Sequence, residues 1–207
     1  MKLPINEYES VGAVGSECGA VIAGTVEEVH EAHRLGYRAQ DIFFLPPAGM
    51  SAADVLHMCR PVAASREQLL EINCAAAQSG GELVSVGLRL VPNGYHAAGL
   101  SVSELGEVSK LLPSLPHVTV RGCFVAGNLD GLYGRELGRF FRAAYESAKR
   151  MTVTLPCAMP YLCVEGGLAA LEQNRLLHPE TLEDAITAAQ IVAAQNSTAF
   201  YARLLIT

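Results

Sequence analysis

The sequence predicts an α/β fold, a TIM-like (β/α)8 barrel of parallel strands in a single domain spanning residues 1–207, and three observations carry that expectation. Apolar runs bounded by Gly, Pro or Ser alternate with segments that carry helix start signals. The runs are continuously apolar more than alternating, as strands buried on both faces of a parallel sheet are. No Gly-x-Gly-x-x-Gly follows the first strand, so the main signature of an open dinucleotide fold is missing.

Seven runs qualify as strands: Ala20 to Ala23, Ile42 to Leu45, Val62 to Ala64, Leu83 to Val91, Val118 to Val125, Tyr161 to Val164 and Phe200 to Ile206. A stub at Met1 to Ile5 is a possible eighth. Between them, Glu27 to Leu35, Arg66 to Gln78, Val102 to Leu112, Arg135 to Arg150 and Leu182 to Gln195 carry apolar residues at helical spacing, so each can lay one stripe on a sheet. Helix starts follow from capping boxes, in which a Ser or Thr hydroxyl accepts from the third helical amide and the side chain at that third position reciprocates. Thr25 with Glu28, Ser65 with Gln68 and Ser101 with Glu104 fit, and Thr181 with Asp184 fits more loosely. At 207 residues the chain is short for such a barrel, so its loops must be spare. No linker, low-complexity tract or long charge run marks a domain boundary.

Half of the residues are hydrophobic and 17% are charged, which supports a large core and excludes disorder. With 15 Lys and Arg against 21 Asp and Glu, the formal charge is -6, which argues against a phosphate-backbone footprint and so against nucleic acid as a partner. Apolar stretches break well before the roughly 18 residues of a membrane span, and the N-terminus has no basic region leading into an apolar one. The expectation is a cytoplasmic protein with no membrane partner. The six cysteines (Cys18, Cys59, Cys74, Cys123, Cys157, Cys163) form no Cys-x-x-Cys pair and read as buried thiols of a reducing compartment, with zinc or a disulfide framework as the alternative.

In a parallel βα barrel the loops after the strands hold the active site, because all strand ends converge there. The run Tyr161-Leu162-Cys163-Val164-Glu165 leads into Gly166-Gly167, which either lets backbone amides approach an anion at a helix start or makes a tight turn. Arg89 stands alone in Val86-Gly87-Leu88-Arg89-Leu90-Val91, and a buried guanidinium must be paired, so it is an ion-pair partner or a contact to an anion or ring. Arg203 raises the same question in the last strand. His96 is a loop histidine expected in solvent, Glu165 a turn carboxylate or an acid–base group, and Asp130 after Asn128 the start of a turn. His30 and His33 lie three apart on one helix without a third ligand, so no metal is expected. No Ser/His/Asp or Cys/His set is legible.

The order of features resembles the barrel domain of the PLP-dependent fold type III decarboxylases, the group of diaminopimelate and ornithine decarboxylases, with an alanine racemase-like barrel. Arg89 followed by Asn93 to Leu100, Ser103 to Leu115 and Val118-Thr119-Val120-Arg121-Gly122 is similar to the middle of that domain. Gly138-Arg139-Phe140-Phe141 to Lys149 and then Tyr161 to Gly167 look like its next helix and phosphate loop. Cys18-Gly19-Ala20 to Glu28, Leu35-Gly36 to Ile42 and Phe44 to Pro47 are similar to its early strands.

The resemblance implies pyridoxal 5'-phosphate as cofactor and an amino acid as the other small molecule. It places Lys2 about where the Schiff-base lysine belongs, Gly166 and Gly167 at the phosphate, Arg203 on the phosphate side and Arg89 beside the ring. It also shows departures. The glutamate that pairs with the pyridinium nitrogen falls at Phe200, the ring-stacking histidine falls within Ala126-Gly127-Asn128, and the family's C-terminal β domain has no counterpart before Thr207. The expected protein is a PLP-binding barrel with a degenerate site, non-catalytic or dependent on a partner chain. An active decarboxylase or racemase, and an unrelated barrel enzyme for a phosphorylated metabolite, are the alternatives. A barrel without the β domain leaves apolar surface, so a homo-oligomer or a partner chain is expected.

Overall fold

The computed structural model describes residues 9–15, 18–47, 53–155, 157–200 and 202–207. Eight parallel strands close into a barrel: β1 (Glu9–Ala13), β2 (Ala20–Ala23), β3 (Ile42–Phe44), β4 (Arg60–Ala63), β5 (Val84–Val91), β7 (Val118–Val125), β8 (Tyr161–Val164) and β9 (Arg203–Ile206). The ring closes where β9 pairs β1 and where β4 pairs β5. A two-residue strand, β6 (Leu100–Ser101), pairs alongside the end of β5. The helices are α1 (Val26–Arg34), α2 (Arg66–Gln78), α3 (Leu105–Leu111), α4 (Gly134–Thr154), α5 (Gly167–Leu177) and α6 (Leu182–Phe200). Among the described residues no helix is long and apolar enough to cross a membrane.

Alternation along each strand sorts side chains into two cores. Val11, Ala20, Phe43, Val62, Phe124, Tyr161, Cys163 and Leu205 fill the barrel. The residues between them, such as Val21, Phe44, Leu88, Leu90, Val125 and Leu162, face outward into the layer shared with the helices. Inside, Phe43, Phe124 and Tyr161 meet edge to face, with ring centroids 5.1, 4.9 and 5.8 Å apart. Tyr161 reaches across the barrel only because two strands lack side chains opposite it. A Cβ on Gly87 would lie 2.8 Å from the Tyr161 hydroxyl, and one on Gly122 would lie 2.0 Å from Cζ.

The capping boxes at Thr25 and Ser101 form with both hydrogen bonds. Ser65 caps Gln68, whose side chain reaches back one residue further, to the Ala64 amide at 2.6 Å. The box at Thr181 does not form. Its hydroxyl donates to the His178 carbonyl and accepts from the amide of Asn174, while Asp184 turns to Arg135. Asn174, fully buried, is the polar hub of this corner: its Oδ1 accepts from the Gly134 amide at 2.9 Å and its Nδ2 donates to the His178 carbonyl at 2.8 Å. It therefore ties the starts of α4 and α6 to α5.

Other expectations shift. The stub Met1 to Ile5 lies outside the described residues, and the strand that completes the barrel is β1, whose Glu9, Ser10 and Gly12 dilute its apolar pattern. The last strand begins at Arg203, because Phe200 still belongs to α6. Among the described residues no helix joins β1 to β2, and a single 3-10 turn (Ala53–Val55) lies between β3 and β4. Both α4 and α6 run past the ends read from their periodicity.

If the interior depends on the fit between Tyr161 and its two glycines, Gly122→Ala will destabilise the protein by about 3 kcal/mol in denaturant unfolding, because an overpacked core has to displace a ring or a strand. Adding Tyr161→Leu to that variant should recover part of the loss.

Candidate functional site at the strand ends

The carboxyl ends of the strands bring together Arg89 from β5, Glu165 after β8, the glycine pair that opens α5 and Thr207 after β9. Arg89 points inward because its neighbours Leu88 and Leu90 point out into the helix layer. Its backbone is pinned by β6 and by Gly99, where a Cβ would stand 2.9 Å from the Arg89 carbonyl oxygen. The guanidinium crosses β7 to Glu165: Nε lies 2.8 and 3.0 Å from the two carboxylate oxygens, and Nη2 lies 2.5 Å from Oε2. Side-chain exposure is 24% for Arg89 and 14% for Glu165, so the pair is largely screened from water. The strand arginine is paired within the chain, and the turn carboxylate is its partner.

The glycine pair makes the turn from β8 into α5. Gly166 is left-handed at φ 70°, which favours glycine, and it stands as the N-cap with no side-chain cap. Gly167 is required for space, since a Cβ there would meet Ile206 at 2.8 Å. Thr207 holds two of the amides: Gly166 N donates to its Oγ1 at 2.9 Å, and Leu168 N donates to its carbonyl at 2.7 Å. Among the described residues no side chain accepts from the amides of Gly167 and Ala169. The first turn of α5 thus retains its positive end, with a hydroxyl seated where an anion oxygen could compete.

Arg203 does not join this group. It opens β9 in register with Tyr161, at the opposite end of the barrel from Gly166. The four residues of β8, Tyr161–Val164, lie between the two levels, roughly 13 Å at 3.3 Å per residue. The resemblance expects Arg203 on the phosphate side, while the residue at the mouth end of β9 is Thr207. Lys2 lies outside the described residues. Phe200, read as the position of the ring-side glutamate, lies on α6 and packs against Tyr145 with centroids 5.6 Å apart.

The remaining candidates are spread out. His96 is exposed, and its carbonyl accepts from the Asn128 amide. Asn128 Oδ1 accepts from the Asp130 amide, making the expected turn. His33 is anchored on the Met58 carbonyl at 2.6 Å. Cys163 sits beneath Glu165, and burial, with the carboxylate adding to it, holds its thiol well above the usual range. Cys59, Cys123 and Cys163 are buried as expected, but Cys74 is exposed on α2.

No family model matches this chain, and no curated protein matches it. Solved structures do. Diaminopimelate decarboxylase from Helicobacter pylori, complexed with L-lysine, superposes over 90% of this chain and 50% of its own, with TM-score 0.64 and 12% identity. Ornithine decarboxylase from Entamoeba histolytica matches over 92% of this chain and 51% of its own, at TM-score 0.65 and 15% identity. PipY from Synechococcus elongatus, solved without PLP, matches over 97% of this chain and 90% of its own, at TM-score 0.60 and 13% identity. The chain has the fold of the fold type III barrel domain. It spans about half the length of the decarboxylases and nearly the whole of PipY.

Three measurements check this geometry. Glu165→Ala should cost about 2–3 kcal/mol of stability, less than the 3–5 of a fully buried pair because both groups keep some solvent. The double variant Arg89→Met with Glu165→Leu should cost less than the single one. In the native protein Cys74 should be alkylated at once, while Cys59, Cys123 and Cys163 should react only on unfolding. Burial pushes Cys59 up to about 12 from an ordinary 9.0. Its contribution to stability should therefore be full below the unfolded value and decline as pH rises from there toward 12, followed by urea midpoints.

Proposed function

We propose that this chain is a ligand-binding barrel of the PLP type that holds PLP, or a similar small molecule bearing a phosphate dianion, at the turn from β8 into α5, and that it does not decarboxylate amino acids. The observation carrying this reading is the left-handed Gly166 and close-packed Gly167 at the mouth of a barrel with this fold. Charge-assisted bonds from backbone amides to a dianion are worth about 1.5–3 kcal/mol each. The carboxylate of Glu165 adjoins that turn and would repel an anion. Arg89 cancels it, which gives the ion pair a role at the site as well as in the fold.

The residues fit the phosphate of PLP better than its aldehyde. Bound PLP supplies a reactive carbonyl on an electron-withdrawing ring, and using it covalently requires a lysine. The chain has three lysines. Lys110 and Lys149 are exposed on α3 and α4, outside the barrel, so a covalent link falls to Lys2 alone. What the chain's described residues supply is an anion cradle, a neutralised carboxylate and an aromatic floor that keeps water out of the barrel.

Calorimetric titration with inorganic phosphate and with PLP should give saturable binding at one site. Arg203→Ala should leave that binding unchanged, since its guanidinium belongs to the other end of β9. Glu165→Gln should tighten phosphate binding about tenfold by freeing Arg89 for the anion. Carbon dioxide release from lysine, ornithine or diaminopimelate should be undetectable. The reading fails if neither phosphate nor PLP binds, or if an amino acid is decarboxylated.

A further inference from the structure

On the outer layer, α4 and α6 cross at Gly138 and Ala188, so closely that a Cβ on Gly138 would stand 2.9 Å from that of Ala188. Alongside this contact runs a groove of about 530 Å³ with walls of opposite charge. Arg135, Arg139 and Arg142, spaced to share one face of α4, form the basic wall. Glu180, Glu183 and Asp184, at the start of α6 and in the turn before it, form the acidic one. One ion pair links the walls, Arg135 to Asp184 at 3.2 Å, and it is well exposed. Glu180 pairs with His178 at 3.4 Å. Among the described residues Arg139, Arg142 and Glu183 make no ion pair within the chain.

A free anion entering this groove meets two unpaired arginines and three carboxylates, and gains little. A second copy of the chain satisfies both walls. A patch with a basic side and an acidic side is complementary to itself about a two-fold axis passing between them, because the rotation lays each basic side on the other molecule's acidic side. Ile191, 41% exposed on the same groove, adds apolar surface to that contact. From this charge complementarity we infer that the α4–α6 groove is the interface of a two-fold dimer of this protein. Arg139 and Arg142 of each copy face Glu180 and Glu183 of the other. The interface lies on the outer layer, so it stands or falls independently of ligand binding at the barrel mouth.

Sedimentation equilibrium at micromolar to submillimolar concentration tests it. The expected mass is twice the 22.0 kDa of the chain at low salt. It should fall toward the monomer as salt is raised to about 0.5 M and screening shortens the reach of the charges. Arg139→Glu with Arg142→Glu should weaken self-association at least about tenfold, and so should Glu180→Arg with Glu183→Arg, since reversed charges then face like ones. All four side chains are exposed, so circular dichroism should not change. Mixing the two reversed variants should restore a dimer containing one of each. A monomer at every concentration overturns the inference, as does a dimer indifferent to both reversals or a mixture that stays monomeric.

Discussion

Eight parallel strands closed into a ring leave an interior of fixed width that side chains must fill without crowding, and in this chain Tyr161 meets that constraint. Its ring lies in the middle of the barrel, edge to face with Phe43 and Phe124, and it fits because Gly87 and Gly122 present no Cβ to it. The register of β5 against β7 slips between Val86 and Leu88, the stretch where these two glycines approach the ring. With the interior filled at that level, the strand ends above it are set at heights that let Arg89 reach Glu165.

The mouth is built on that floor. Arg89 leaves an apolar strand and needs a partner, because a guanidinium does not lose its proton. Glu165 continues the β7–β8 ladder through its amide, which donates to the Val125 carbonyl at 2.9 Å, so its carboxylate is delivered to a fixed place. The turn that follows needs a left-handed residue and then one without a side chain, and Gly166 and Gly167 supply them in that order. Thr207 closes the arrangement by taking two amides of the turn while its own amide donates to the Val164 carbonyl at 3.2 Å. One corner therefore joins an ion pair, a helix start and the end of the last strand, and a ligand oxygen at the helix start competes with a hydroxyl already there.

The outer layer follows a different logic. Among the described residues helices are missing or short beside the first strands, and the long helices α4 and α6 gather on the opposite side of the ring, held at their starts by Asn174. Their close crossing uses small residues, which leaves charged side chains standing as walls beside a shallow floor. The mouth neutralises its charges within the chain, and the outer groove leaves several of its own without partners.

The strands β2, β7 and β8 and the helix α2 have the bounds their sequence patterns indicate, because each is a run of one period with a clear cap or breaker at its ends. The order of features was enough to match the barrel fold. β1 escaped notice because a strand's pairing can be satisfied by neighbours far along the chain even when Glu9, Ser10 and Gly12 weaken its own pattern. α5 is legible only as a helix start at its glycine pair, because its apolar residues are too evenly spread to mark one face. Arg89 was recognisable as a residue requiring a partner, but nothing local named Glu165, which stands 76 residues away. Arg203 is expected at the phosphate from the family resemblance, and an order of features along the chain cannot say at which end of a strand a residue sits. That depends on where α6 ends, and tertiary packing carries α6 on to Phe200. The sequence by itself determined the periodicities, the caps and the residues that cannot be left alone. Which strand end faces which, and which charges meet, depended on the closure of the ring, since closure alone fixes the relative heights of strands distant in the chain.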